Sequence, residues 1–521
     1  MNQKRRHILC MFIPLVFSVV YMLFCIINIR GSIWFDESFS AYLIRGNFAD
    51  IWNLTAQDVH PPLFYFLLKI WSLIFGNTDF ALRFMSVFFG AVAIILAFHL
   101  LKRWFGAKIA TASSFMLALS PMFIRFGAEM RMYTLVFTIV IGATYALDVA
   151  LEKREAKYWA LYAILIALGM WTHYFAAIAW LAHLIYLVFI RKEKIWKKPL
   201  LPTYIFAIIL YLPWVPFFLK QTGTVQGNGF WIPELTAVTP LDYLGNAVVY
   251  KDAEYITGWG VLLLAGVVIF TTVALVKAYK NLKKAQKDHF RMLLLLVFAP
   301  PLILILLSLP PLRPMFIDRY VIYAASLVWA LFGLAIFFNF RAFKERLAKK
   351  RRKRELVKAR NLLVCPFLLL GLVITSAVVG IVNVEAREPR GYVKDIYELT
   401  SEMADENEPI LMNNVWNYYD AIFYSSAKHP VYIMNDWISY EYGSEEPVRK
   451  YHYNVIDDLD GFKTGHDRFW YITDLPNAGD DSVSSKLTGD SDAEAKSPID
   501  GYRVVSEISN GHHLALELEK E

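Results

Sequence analysis

Over most of this chain the apolar residues do not alternate with polar ones but run together. Eleven stretches of 16–24 residues, at 8–29, 84–101, 109–124, 132–150, 158–173, 174–190, 200–219, 257–276, 292–309, 321–340 and 361–384, are almost unbroken by charge. A hydrocarbon core needs about 20 such residues in a helix, so each stretch predicts a membrane span. A twelfth stretch, 62–76, has 15 residues, opens after Pro61 and carries Lys69 at its middle. Beyond residue 384 the pattern changes to short elements. It predicts helices around 392–405 and 417–427 and strands at 409–413, 430–434, 468–473, 502–508 and 513–519. The stretch 476–499, rich in Asp, Ser, Gly and Ala, predicts a mobile loop.

Charge divides the chain at the same place. Residues 385–521 hold 12 Lys and Arg against 28 Asp and Glu, a net of −16, while the preceding 384 hold 41 against 18, a net of +23. The expected architecture is therefore an all-α polytopic membrane domain over 1–384 and a soluble acidic α/β domain over 385–521. Positive loops between spans account for the basic excess, so it does not point to nucleic acid. Cys10, Cys25 and Cys365 lie inside apolar runs, which leaves no disulfide framework and no zinc cluster.

The positive-inside rule orients the spans. If 62–76 does not cross, 31 Lys and Arg share the side of Lys4-Arg5-Arg6 and 10 lie opposite; if it crosses, the later loops flip and 28 of those 31 land outside. The expectation is eleven spans, a cytoplasmic N-terminus, an extracytoplasmic C-terminal domain, and 62–76 as a juxtamembrane helix on the outer surface. The N-terminal stretch has a 22-residue core and no small-residue cleavage site, and reads as a retained span. The inner loops hold no Walker-type sequence, which removes support for ATP-driven transport.

The outer loops carry the candidate chemistry. Trp34-Phe35-Asp36-Glu37-Ser38 follows the first span, and Asp58-Val59-His60-Pro61-Pro62-Leu63 leads into the juxtamembrane helix. Glu129-Met130-Arg131-Met132-Tyr133, Trp171-Thr172-His173-Tyr174 and Asp318-Arg319-Tyr320 stand at later outer ends. Asp36 or Glu37 can take a proton from an attacking hydroxyl, or simply keep a loop solvated. His60 and Glu129 are candidate metal or acceptor contacts. Against that, His60 can cap the helix that the two prolines start, and Glu129 can pair with Arg125 or Arg131. His173 is either a site residue or a satisfied core histidine. Arg319 suits a phosphate, because guanidinium grips its oxygens with two donors; Arg313 and Lys69 are further options that can equally snorkel to headgroups.

Together these motifs resemble the GT-C superfamily of integral membrane glycosyltransferases, and most nearly its bacterial protein O-mannosyltransferase and aminoarabinose transferase branch. The likeness covers roughly 1–340 and is strongest over 30–135; Phe64-Tyr65 stands where the mannosyltransferases carry Gly-Lys. The resemblance implies Asp36 as general base, with Glu37 supporting it or binding acceptor. It implies a polyprenyl-phosphate sugar as donor, with no nucleotide, and an extracytoplasmic glycan, lipid or protein as acceptor. A divalent metal on His60 and Glu129 is left open. The rival class is a non-enzymatic lipid-linked-glycan transporter or sensor, which should line its spans with charge. Only Asp148 is such a charge within the predicted spans.

Overall fold

The structure, a computed structural model, describes residues 3–196, 199–228, 231–251, 258–349, 353–386, 391–438, 454–475 and 497–521. By internal packing the chain forms two units. One is Met1–Ile29, His60–Leu67 and Phe80–Arg387; the other is Arg30–Val59, Leu68–Asp79 and Glu388–Glu521. One seam lies next to the charge boundary at 384/385. Packing also assigns most of the first outer loop to the C-terminal unit, which composition does not indicate.

The first unit is helical, and each of the eleven apolar stretches lies on helix. Among the described residues seven helices are long and apolar enough to cross a bilayer, which makes this a multi-pass membrane protein. They are Asp79–Phe105, Tyr133–Lys153, Leu200–Gln226, Trp259–Asn281, Lys284–Leu307, Asp318–Glu345 and Pro366–Ala386. An eighth comes from the pair Ala107–Ala118 and Pro121–Gly127, bent by 59°. The bend has a local cause: a residue before proline is pushed out of the helical region, and Ser120 is extended at ψ 116. Phe12–Ile27 and Ala176–Ile190 are apolar but shorter, and Ala156–Thr172 has 17 residues. The stretch 62–76 forms helix Leu63–Phe75, whose 13 residues reach about 20 Å, short of a hydrocarbon core.

Small residues let the helices approach. A Cβ on Gly333 would lie 2.4 Å from Ser113 Cα, so Ile322–Lys349 crosses Ala107–Ala118 backbone to backbone. The Tyr21 ring of helix Gln3–Ile27 occupies the space left by Gly90 and Gly127. Two polar groups of the bundle find partners on neighbouring helices. His183 meets Thr144 Oγ1 and the Tyr162 hydroxyl, each at 3.0 Å. Asp148 accepts from Arg103 Nε at 2.9 Å and lies 3.1 Å from His289 Nε2, which offsets the cost of a carboxylate in a span.

In the second unit a six-stranded mixed sheet has the order β3-β2-β1-β4-β6-β5. The strands are β1 Ile410–Met412, β2 Val431–Met434, β3 Val455–Ile456, β4 Arg468–Asp474, β5 Tyr502–Ser509 and β6 His513–Lys520. The first four pair in parallel, and β6 runs antiparallel to β4 and β5. All five expected strands are present. Strand β3 and helix Leu459–Gly465 were not expected: two strand residues and seven helical ones are too few to show a period. Of the expected loop 476–499, residues 476–496 lie outside the described residues.

Candidate active site

Asp36 and Glu37 sit in the first turn of helix Phe35–Leu43, where the helix dipole favours negative charge. The chain enters it extended at Trp34, whose carbonyl accepts the Glu37 N–H at 2.7 Å. Asp36 is half-buried, and Glu37 is fully buried. Ser40 Oγ donates to the Asp36 carbonyl at 2.8 Å, and Ser38 Oγ donates to the Asp420 carboxylate. The next helix, Phe48–Thr55, starts with a reciprocal cap between Asn47 and Asp50, both bonds 3.0 Å long. Lys69, half-buried on helix Leu63–Phe75, belongs to this second unit too.

His60, Glu129, His173, Arg313 and Arg319 belong to the first unit. Arg131 Nη2 lies 3.4 Å from His60 Nε2. A guanidinium can only donate, so Nε2 is the acceptor and the ring proton is assigned to Nδ1. The His173 ring, one residue past helix Ala156–Thr172, stands 6.4 Å from His60, 6.3 Å from Tyr133 and 5.1 Å from Tyr320 between centroids. His60, Arg131 and Arg319 all act electrostatically on it. Arg319 is 7% exposed and stacks its guanidinium 5.0 Å from the Trp231 centroid. Its neighbour Asp318 accepts the Arg319 N–H at 2.7 Å and Asn246 Nδ2 at 3.1 Å.

The structure thus gathers His60, His173 and Arg319 and adds Arg131, Tyr133 and Tyr320 to them. Glu129 is paired with Arg125, both almost fully buried, four residues apart in chain order. Of the two arginines that flank Glu129 in sequence, one closes this ion pair and the other reaches His60. Arg313 is exposed, and its backbone N–H donates to Gln226 Oε1. The charge pattern of the short second outer loop marked Arg131 but could not separate it from Arg125. Asp420 gave no sequence signal, since it is one carboxylate among many in an acidic region.

As a pair, His60 and Glu129 do not suit a metal. His60 faces the Arg131 guanidinium and Glu129 the Arg125 guanidinium. Among the described residues no group of three His, Cys, Asp or Glu is placed to hold an ion.

Residues 59–217 match the family model described as dolichyl-phosphate-mannose-protein mannosyltransferase. The structure superposes on ArnT from Cupriavidus metallidurans bound to undecaprenyl phosphate with a TM-score of 0.61, at 13% identity, over 99% of this chain and 98% of that one. It has the GT-C fold. The same GT-C likeness extends to the oligosaccharyltransferase of Archaeoglobus fulgidus tethered with an acceptor peptide: TM-score 0.53, 13% identity, 89% of this chain and 69% of that chain. The archaeal oligosaccharyltransferase AglB from Archaeoglobus fulgidus, in complex with an inhibitory peptide and a dolichol-phosphate, matches at a TM-score of 0.51 and 13% identity, over 91% of this chain and 70% of that chain. No curated protein matches by sequence. The resemblance read from the outer-loop motifs therefore agrees with the fold.

Proposed function

We propose that this chain is a membrane glycosyltransferase that moves a sugar from a polyprenyl-phosphate donor to a hydroxyl-bearing extracytoplasmic acceptor. The observation that carries the reading is the cluster in the first unit. Arg131 and Arg319, each less than a tenth exposed, stand about His173 in a helical membrane bundle. A guanidinium grips phosphate oxygens with two donors, so a pair of arginines suits an anionic ligand. A lipid phosphate is the anion at hand in a bilayer. Similar folds support this choice, since one is bound to undecaprenyl phosphate and another holds a dolichol-phosphate.

The proposed reaction draws on these groups and on Asp36, the base that the resemblance implies. The acceptor oxygen attacks the anomeric carbon as the bond from that carbon to the phosphate oxygen breaks. The polyprenyl phosphate leaves with the bonding pair, and Arg131 and Arg319 stabilise its growing charge. Asp36, the more accessible of the two carboxylates, takes the acceptor proton, while buried Glu37 supports the turn. Attack opposite the phosphate inverts the anomeric centre. The Lys and Arg bias puts the N-terminus in the cytoplasm and the acidic domain outside, where a flipped lipid-linked sugar is available. Cell-envelope glycan, lipid and protein are the acceptor classes.

The test is Asp36→Asn in purified protein reconstituted in liposomes with a polyprenyl-phosphate sugar. General-base catalysis is worth about 10²–10⁴ in rate, so turnover should fall by that much while donor affinity holds. Normal turnover in this variant, with loss in Glu37→Gln, would move the base to Glu37.

A further inference from the structure

The helix that carries Asp36 is held by the C-terminal domain. Phe35, Ser38, Phe39 and Tyr42 have i, i+3, i+4, i+7 spacing and form one stripe, with Asp36 beside it. All four touch a single element, helix Val415–Tyr424. The Phe35 ring lies 4.2 Å from Trp416 and 5.5 Å from Tyr419, and the Tyr419 ring lies 6.2 Å from Phe39 and 5.1 Å from Tyr42. Ser38 Oγ donates to Asp420, a carboxylate only 6% exposed. The flanks are tied to the same helix: the Ile33 N–H donates to the Tyr424 hydroxyl at 2.8 Å, and Arg45 Nη2 to the Ile422 carbonyl at 2.9 Å.

That helix is anchored in turn. Asn414 caps its start by accepting the Asn417 N–H at 2.9 Å. Asp474, at the end of β4, accepts from Asn414 Nδ2 at 2.7 Å and Asn417 Nδ2 at 2.6 Å. A continuous set of hydrogen bonds and ring contacts therefore runs from the central sheet to the residues around Asp36. Near Gly391 the segment entering this helix is equally tight: the Ser32 N–H donates to the Gly391 carbonyl, and a Cβ on Gly391 would fall 2.3 Å from the Ile33 oxygen.

We propose that helix Val415–Tyr424 is a positioning element for Asp36, acting through Asp420 and Tyr419, so that the acidic domain is a working part of the reaction. The inference rests on Asp36 being the base. A catalytic group displaced by 1 Å can lose about 10²-fold in rate. Removing the Ser38–Asp420 bond from either side should therefore lower turnover and leave donor binding intact.

The experiment uses the full chain in liposomes, with turnover and donor affinity measured for Ser38→Ala, Asp420→Ala and their combination, each alone and with Asp36→Asn. Ser38→Ala deletes one oxygen, which guards against misfolding at buried Asp420. Each single variant should lose about 10–100-fold in turnover, the pair no more than the worse single, with donor affinity within about twofold. Asp420→Asn, whose amide oxygen still accepts from Ser38, should recover part of the loss. On the Asp36→Asn background neither substitution should lower the residual rate. Wild-type turnover in Ser38→Ala and Asp420→Ala, or an equal further fall on the Asp36→Asn background, would overturn the inference. Normal turnover in Asp36→Asn alone is a separate result: it refutes the base assignment and the inference with it.

Discussion

At the scale of single residues, two of the candidate carboxylates have different environments. Asp36 is half-buried, while Glu129 is enclosed with Arg125. Removing one partner of a buried ion pair leaves the other charge without compensation, at a cost of about 3–5 kcal/mol. Glu129→Gln should therefore lower the unfolding temperature in detergent, and Arg125→Gln added to it should restore part of the loss. A Glu129→Gln protein that melts normally but cannot transfer sugar would make Glu129 a site residue instead. Arg319→Ala should behave otherwise. A hydrogen bond to a charged group is worth about 1.5–3 kcal/mol, so losing this contact should weaken donor binding roughly 10–100-fold with little change in melting. Isothermal titration with a polyprenyl phosphate distinguishes the two cases.

At the scale of elements, helices cross where glycine permits, and the spacing can be tested directly. Gly333 has the Ala112 and Ser113 backbone within 2.6 Å of where a Cβ would stand, whereas Gly142 has only leucine methyls at 3.8 Å. Backbone cannot yield as a leucine rotamer can. Gly333→Val should cost at least the 1–3 kcal/mol typical of overpacking, about the upper end of that range, and reduce the yield of monodisperse protein. Gly142→Ala should be near neutral. Equal behaviour in size-exclusion profiles and thermal melts would show that Ile322–Lys349 and Ala107–Ala118 do not cross in this way. This crossing could not be read from hydropathy, because a span apolar on all sides does not reveal which side meets a neighbour.

At the scale of the whole molecule, topology is the property most open to test. The 31-to-10 distribution of Lys and Arg predicts that the acidic domain lies outside the cell. Asp460 is highly exposed on helix Leu459–Gly465, so an Asp460→Cys protein offers a reachable thiol. It should react with a membrane-impermeant maleimide in intact cells, above the background from the native cysteines. Labelling that appears only after lysis would reverse the orientation and remove the route by which a flipped lipid-linked sugar reaches Asp36.

The sequence by itself determined the features that repeat locally. Long apolar runs became helices because satisfying every backbone hydrogen bond inside a bilayer leaves few alternatives. The strands at 409–413 and 513–519 were readable because a short apolar run and an alternation both need only neighbouring residues. The Asp36-Glu37 and His60-Pro61-Pro62 motifs were visible for the same reason. Tertiary structure alone decided which side chains meet. Ser38 and Asp420 are 382 residues apart in the chain, and no period links them. Tertiary structure also chose Arg125 over Arg131 as the partner of Glu129, leaving Arg131 to His60. Pairings of this kind depend on how elements pack and on which buried charges then need compensation. That balance exists only once the chain has folded.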